Sequence, residues 1–143
     1  MKLEECFGKR LLRKERPDLE RSKRSIEVAE AKLDEAEKAF IHRLFDATII
    51  LAYTAMFHAA RAILFRDGIV EKSHICLIEY LRETYVNTGK LSEATVNTLN
   101  TLRIDRHETL YGLEAKSSEK EAKYSLEKTK EFLATVKNLM KNK

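Results

Sequence analysis

An apolar segment, residues 42–66, constrains the fold of this chain more than any other feature. Apolar side chains point in nearly all directions from a helix drawn through it: Leu44, Phe45, Ala47, Ile49, Ile50, Leu51, Ala52, Ala55, Met56, Phe57, Ala59, Ala60, Ile63, Leu64 and Phe65. A helix that is apolar all round has to be covered by other helices. We therefore predict a central helix here, ended by Gly68, which can adopt the left-handed cap conformation.

Two flanking stretches have the narrow apolar seam of a helix that covers such a core. In residues 18–40 the seam repeats every three or four positions: Leu19, Ser22, Ile26, Ala29, Leu33, Ala36 and Phe40. A second seam follows a capping box at Ser118–Glu121: Ala122, Leu126, Thr129, Leu133, Val136 and Met140. Both stretches are predicted to be long helices.

Weaker signals predict connecting helices over about 73–87 and 92–112, and a short amphipathic helix over 3–14 that stops near Pro17. With only four Gly and one Pro in 143 residues, a fold of many β-turns is excluded. The expected fold class is all-α, an antiparallel up-and-down helical bundle of four to five helices. We expect a single domain over 1–143, with 1–17 as an N-terminal helix or arm and 18–143 as the bundle.

Composition narrows the location. No 18-residue span lacks charge, and acidic residues stand near the N-terminus where a signal peptide needs basic ones, so neither a membrane helix nor a signal peptide is predicted. Cys6 and Cys76 belong to no spaced motif and are predicted to be free thiols. The expected location is the cytoplasm.

Common catalytic and metal-binding motifs are missing from the sequence. Only one Glu-x-x-His is present, from Glu71 to His74 at a predicted turn, whereas a di-iron bundle needs two such pairs. We interpret it as coincidence. There is no glycine-rich phosphate loop and no Gly-x-Ser-x-Gly turn. No metal and no cofactor are therefore predicted.

Two polar clusters are unusual for this fold. On the central helix, Thr54, His58 and Arg61 share one face, next to Tyr53. An arginine on so apolar a helix has to find a carboxylate, backbone carbonyls or water. The alternative interpretation is a satisfied core histidine plus an arginine at a helix end or a subunit interface.

The second cluster lies in residues 102–112, where Arg103, Arg106, His107 and Tyr111 stand near the end of a predicted helix. Arginine can bind a phosphate through two hydrogen bonds, and imidazole can transfer a proton near neutral pH. These groups suffice for phosphodiester chemistry without a metal. The alternative is that cations simply favour a helix C-terminus.

The run from Ala52 to Phe65 resembles the core helix of small HEPN (higher eukaryotes and prokaryotes nucleotide-binding) domain proteins. The branch it resembles is often encoded beside a minimal nucleotidyltransferase. The resemblance covers roughly residue 18 onward and implies a helical bundle that usually forms a homodimer.

Active HEPN proteins are metal-independent RNases, with a motif of arginine, a polar residue, three further residues and histidine. Arg106 matches the arginine and His107 the polar residue, but Tyr111 stands at the final position, followed by Gly112. In the other register, from Arg103 to His107, one residue is missing. With a pKa of about 10, a tyrosine phenol is almost entirely protonated at neutral pH and is therefore a poor base.

Three hypotheses for the function remain open, and the first two follow from the resemblance. In the first, the chain binds and cleaves RNA: Arg106 holds the phosphate, His107 carries the proton and Tyr111 orients or donates, while Arg103, His58 and Arg61 bind RNA or nucleotide. In the second, it is a non-catalytic partner of a nucleotidyltransferase, with Tyr111 as the hydroxyl that receives a nucleotide. In the third, it is a plain dimeric scaffold.

Overall fold

The computed structural model describes residues 1–113 and 116–141. Within them six α-helices and two short strands follow in this order: α1 (Leu3–Gly8), β1 (Leu12–Lys14), α2 (Leu19–Ile41), α3 (Phe45–Asp67), β2 (Ile69–Glu71), α4 (His74–Leu81), α5 (Glu93–Tyr111) and α6 (Glu119–Lys141). One π-helical segment, Arg82–Val86, continues α4. The all-α prediction is confirmed.

Helices α2 and α3 form an antiparallel pair along most of their length. The Ser22 hydroxyl donates a hydrogen bond to the Ala62 carbonyl at 2.7 Å, and the Ser25 hydroxyl donates one to the His58 carbonyl at 2.6 Å. Small side chains line both helices at this contact and let the backbones approach: Ala29, Ala36, Ala52, Ala55 and Ala59. The seam of α2 therefore packs closely against α3 through small side chains, and two serine hydroxyls hydrogen-bond to the α3 backbone.

The other two long helices complete the bundle around α3. The Thr129 hydroxyl of α6 donates to the Ala52 carbonyl at 3.2 Å, and α6 runs parallel to α3 and antiparallel to α2. Helix α5 runs opposite to both α3 and α6. Successive long helices thus alternate in direction, which confirms the up-and-down bundle.

Helix α3 is long and apolar enough to cross a membrane by composition, but 67% of its most apolar stretch is buried inside the protein. Its environment is that of a core helix. It ends at Gly68, which has a φ of +78° as expected for a left-handed cap. The predicted capping box is also present, because the Ser118 hydroxyl accepts from the Glu121 amide and the Glu121 carboxylate accepts from the Ser118 amide.

The predicted N-terminal helix is too long. Helix α1 stops at Gly8, and Leu12–Lys14 instead form β1, which pairs antiparallel with β2 so that Leu12 lies opposite Glu71. A three-residue strand has no periodicity of its own to detect. The helix predicted over about 73–87 is found from His74 to Val86, with α-helical geometry to Leu81 and π-helical geometry after it.

The two cysteines form a disulfide, so the prediction of free thiols is wrong. Cys6 of α1 and Cys76 of α4 are bonded, with Cα atoms 5.8 Å apart, and both are fully buried. The prediction failed because it rested on local spacing, and these residues are 70 positions apart in sequence. The disulfide joins the N-terminal arm to the start of α4.

Candidate functional site

Helix α5 directs two arginines towards the core. Its buried positions are Val96, Leu99 and Leu102. Arg103 and Arg106 continue this face at the C-terminal half of the helix, because they follow Leu99 by four and seven residues. Both are partly buried. The apolar face of α5 therefore becomes cationic at the end nearest the middle of α3.

Arg106 lies against Tyr53 of α3. Its guanidinium carbon is 5.8 Å from the centre of the tyrosine ring, and its Nε is buried without a hydrogen-bond partner in the part of the chain that the structure describes. Arg103 donates from Nε to the side-chain oxygen of Asn100 at 3.1 Å. Among the described residues, neither arginine forms a salt bridge.

Tyr53 is joined to His74, the first residue of α4. The tyrosine oxygen and the histidine Nδ1 are 2.7 Å apart. Phe57 stacks on the imidazole with ring centres 3.9 Å apart and planes inclined by 14°. Tyr53 is only 2% exposed. The imidazole is thus fixed in both position and plane.

Burial and charge set the protonation of this pair. Burial raises the pKa of Tyr53, although Arg103 and Arg106 oppose the shift. Burial lowers the pKa of His74, and the positive charges of Arg106, Arg103 and Arg61 lower it further. At neutral pH the phenol keeps its proton and the imidazole is neutral. The buried Tyr53 hydroxyl has no other acceptor among the described residues, so we assign it as the donor to Nδ1, which places the histidine proton on Nε2.

Arg61 has found the carboxylate that its position on an apolar helix requires. Its Nε donates to the Glu71 carboxylate at 2.8 Å, and the guanidinium also lies over Phe65 at 5.0 Å. The side chains of Arg61 and Glu71 are 25% and 9% exposed. The expectation of a satisfied arginine is confirmed, and strand β2 supplies its partner.

His58 lies apart from the arginines of α5. Its backbone carbonyl accepts from Ser25 of α2, and its ring contacts Phe57 edge-on. Burial lowers the pKa of His58, with Arg61 and Lys32 adding to the effect. Thr54 donates its hydroxyl to the Ile50 carbonyl of its own helix. Of the three residues predicted to share this face of α3, only Arg61 lies close to His74 and the two arginines of α5.

His107 and Tyr111 lie on the outer side of α5. Their ring centres are 4.9 Å apart, and Tyr111 is 68% exposed. Tyr111 follows Arg106 by five positions on the helix, which places the two side chains about 140° apart around the axis. The motif residues therefore divide between an inner arginine and an outer histidine–tyrosine pair.

The arginines of α5 and Arg61 lie in one cluster with Tyr53, Glu71 and His74. Two members of this cluster, Glu71 and His74, were not predicted as site residues. They belong to the Glu-x-x-His that the sequence analysis set aside as a metal motif. Among residues 1–113 and 116–141, no group of three or more His, Cys, Asp or Glu side chains is arranged to hold a metal ion. The sequence signal that could have identified them is the position of the Glu-x-x-His at a turn, because a turn can place both side chains beside the arginines of a neighbouring helix.

A cleft of about 510 Å³ opens on the opposite flank of α5, between α3 and α6. Its charged lining includes four carboxylates and two lysines: Asp46, Asp105, Glu108, Glu121, Lys116 and Lys120. Burial, aided by Glu121, raises the pKa of Asp105. This acidic cleft does not suit a phosphate and contains none of the predicted site residues.

A family model described as "HEPN domain" matches residues 22–139. The chain belongs to the HEPN domain family. The match includes all four long helices of the bundle and both polar clusters, so the resemblance predicted from the α3 sequence is confirmed.

This HEPN domain is also similar to a protein of Methanocaldococcus jannaschii named "Putative toxin MJ0605". The two are 34% identical over 68 residues, which is 48% of this chain and 51% of that protein. The chain therefore matches about half the length of this relative.

Proposed function

We propose that this HEPN domain protein is the toxin of a toxin–antitoxin pair, and that it binds RNA and cleaves it without a metal ion. The observation that carries the proposal is the pair of arginines, Arg103 and Arg106, that lies beside Tyr53 and His74 and bonds to no carboxylate within residues 1–113 and 116–141. The family and the name of the relative point the same way. The proposed antitoxin is a minimal nucleotidyltransferase, and the proposed location is the cytoplasm.

In the proposed reaction Arg106 holds the scissile phosphate. His107 takes the proton from the ribose 2′-OH, whose oxygen attacks phosphorus. The bond from phosphorus to the 5′ oxygen breaks, and that oxygen takes a proton from a water molecule while Tyr111 donates it a hydrogen bond. The protonated His107 returns its proton to the hydroxide that this leaves, so both the histidine and the water are regenerated. The products are a 2′,3′-cyclic phosphate and a 5′-hydroxyl.

A homodimer accounts for the separation of these groups. Arg106 and Tyr111 point in different directions in one copy, so we propose that a second copy brings its own His107 and Tyr111 to the phosphate. Apolar side chains near these residues are well exposed: Ile104 by 46%, Leu110 by 40% and Tyr111 by 68%. Burying them between two copies would remove apolar surface from water. Elution in gel filtration as one 16.6 kDa chain would contradict the dimer.

The proposal is tested by RNA cleavage in EDTA. We expect wild-type protein to leave cyclic-phosphate ends and Arg106→Ala to lose this activity. Arg24→Ala is the matched control, because Arg24 is exposed on α2 and forms a surface salt bridge with Glu20. Equal cleavage by wild type and Arg106→Ala would contradict the site assignment, and no cleavage by wild type would contradict the RNase function.

Exposure of Tyr111 favours a second function, that of a nucleotidylation target. A phenol that is 68% exposed at the end of a helix is accessible to another protein's active site. The test is incubation with a nucleotidyltransferase and ATP, followed by intact mass. We expect the mass to rise in wild type and in Tyr124→Phe, whose tyrosine is 44% exposed, but not in Tyr111→Phe. An unchanged wild-type mass contradicts this function, and only together with an absence of RNA cleavage would it leave the scaffold hypothesis.

A further inference from the structure

We propose that Arg103, Arg106 and His74 form an anion site within a single copy of the chain, that its ligand is a phosphate group of a nucleic acid, and that Tyr53 sets the tautomer of His74. The choice of nucleic acid rests on the proposed function, whereas the site itself rests on the geometry that follows.

The local charge is the first reason. Arg106 lies 5.8 Å from the ring centre of Tyr53 and Arg61 lies 5.7 Å from that of Phe57, the two side chains that contact the imidazole of His74. Arg103, one helical turn before Arg106, adds a third positive charge near the same ring. Glu71 neutralises Arg61 at 2.8 Å, and within the described residues no carboxylate bonds to the other two. About two positive charges therefore remain in a partly buried place, where water screens them less than at the surface. Such a place attracts an anion.

The second reason is the unsatisfied hydrogen-bonding capacity of Arg106. Its Nε is buried and has no hydrogen-bond partner among the described residues, although buried polar groups in folded proteins are nearly always hydrogen-bonded. Leaving such a donor unpaired costs about 1–3 kcal/mol. A guanidinium can bind two oxygens of one phosphate through parallel N–H groups. A phosphate at this edge of Arg106 would satisfy the donor.

His74 supplies a further donor of fixed direction. The Tyr53 oxygen lies 2.7 Å from Nδ1, and with Tyr53 assigned as the donor the neutral imidazole carries its proton on Nε2, for which no hydrogen bond is present among the described residues. Stacking on Phe57 at 3.9 Å prevents the ring from turning away. Because the nearby arginines keep the imidazole neutral, Nε2 donates a hydrogen bond without adding a third full charge.

The role of Tyr53 follows from the same bond. Removing its hydroxyl would free Nδ1 to carry the proton, and Nε2 would then present a lone pair to the anion. Tyr53 is therefore a positioning residue that acts through His74. It is distinct from Tyr111, which lies on the outer side of α5.

The test is binding of inorganic phosphate and of a short single-stranded oligodeoxynucleotide, which lacks the 2′-OH and is not cleaved, followed by NMR of the intact protein. Arg106→Met keeps the buried stem of the side chain and removes the guanidinium. We expect it to weaken both ligands at least tenfold without lowering Tm, while Arg24→Met binds as wild type does. For Tyr53→Phe we expect the ¹⁵N shifts of His74 to move towards the Nδ1–H tautomer, together with weaker binding.

Two outcomes separate this inference from the proposed function. Phosphate binding that depends on Arg106, with no cleavage of RNA, supports the anion site and contradicts the RNase. Equal phosphate binding by wild type and Arg106→Met overturns the site, even if RNA is cleaved. Unchanged His74 nitrogen shifts in Tyr53→Phe overturn the role of Tyr53, because loss of packing alone does not exchange the tautomers.

Discussion

Reduction of the Cys6–Cys76 disulfide should destabilise this protein strongly. The bond closes a loop across 70 residues. In the chain-entropy model, a cross-link across a loop of that length lowers the entropy of the unfolded chain enough to stabilise the fold by about 4.4 kcal/mol at 25 °C. For a chain of this size that corresponds to roughly 10–15 °C in Tm.

Other contacts hold the N-terminal arm in place besides the disulfide. The β1–β2 ladder holds the arm in place independently, with Lys14 opposite Ile69. Hydrophobic contacts of Leu3 and Phe7 with the core also remain when the bond is broken. We therefore expect the reduced protein to keep the same fold and to unfold at a lower denaturant concentration.

The assay is equilibrium unfolding in guanidinium chloride, followed by far-UV circular dichroism with and without reductant. The double variant Cys6→Ala/Cys76→Ala is the control, and its midpoint should not respond to reductant. Thiol titration of the unfolded, unreduced protein should find no free thiol. Two free thiols per chain, or identical midpoints for the oxidised and reduced protein, would refute the reasoning.

Three further predictions follow from the structure. Gly68→Ala should cost 1–3 kcal/mol more than Gly89→Ala, because both glycines have φ near +78° but a Cβ at Gly68 would lie 2.5 Å from a backbone oxygen while Gly89 faces open space; equal losses in chemical unfolding would contradict this. Glu71→Gln should lower the free energy of unfolding by about 1–2 kcal/mol through loss of the ionic bond to Arg61 and yet tighten phosphate binding, since it removes the negative charge that neutralises Arg61; a titration that shows weaker binding would count against it. The free energy of unfolding should fall as pH drops below the ordinary histidine pKa of 6.5, because His74 has a lower pKa in the folded state and so binds fewer protons there than in the unfolded chain; His74→Gln should show a smaller fall between pH 7.5 and 5.5.

The long helices could be predicted from sequence because their signals are local. Three such signals are the apolar segment of α3, the three-and-four spacing of α2 and α6, and the capping box at Ser118. The residues that make up each signal lie within a few helical turns of one another. Helix α2 was predicted over 18–40 and is found at Leu19–Ile41, and α5 was predicted over 92–112 and is found at Glu93–Tyr111. Burial of a periodic apolar face fixes such elements wherever the partner lies.

The candidate site could be predicted only in part, because its members are joined by tertiary contacts. The sequence identified Arg103, Arg106 and Arg61 as unusual, and the spacing from Leu99 even places the first two on the buried face of α5. It gave no means of telling that Arg61 is paired and Arg106 is not. That difference depends on Glu71, which reaches Arg61 from a strand outside the helical bundle.

The N-terminal arm is what positions this part of the site. Strand β1 pairs with β2, which carries Glu71, and the disulfide fixes α1 to α4, whose first residue is His74. Residues 69–76 are thus held at two points by the first 14 residues of the chain. The arm looks peripheral in the sequence because it lies outside the bundle helices. In the folded protein it holds the segment that neutralises one arginine and brings a histidine to the other two, so its contribution extends from stability to the chemistry of the anion site.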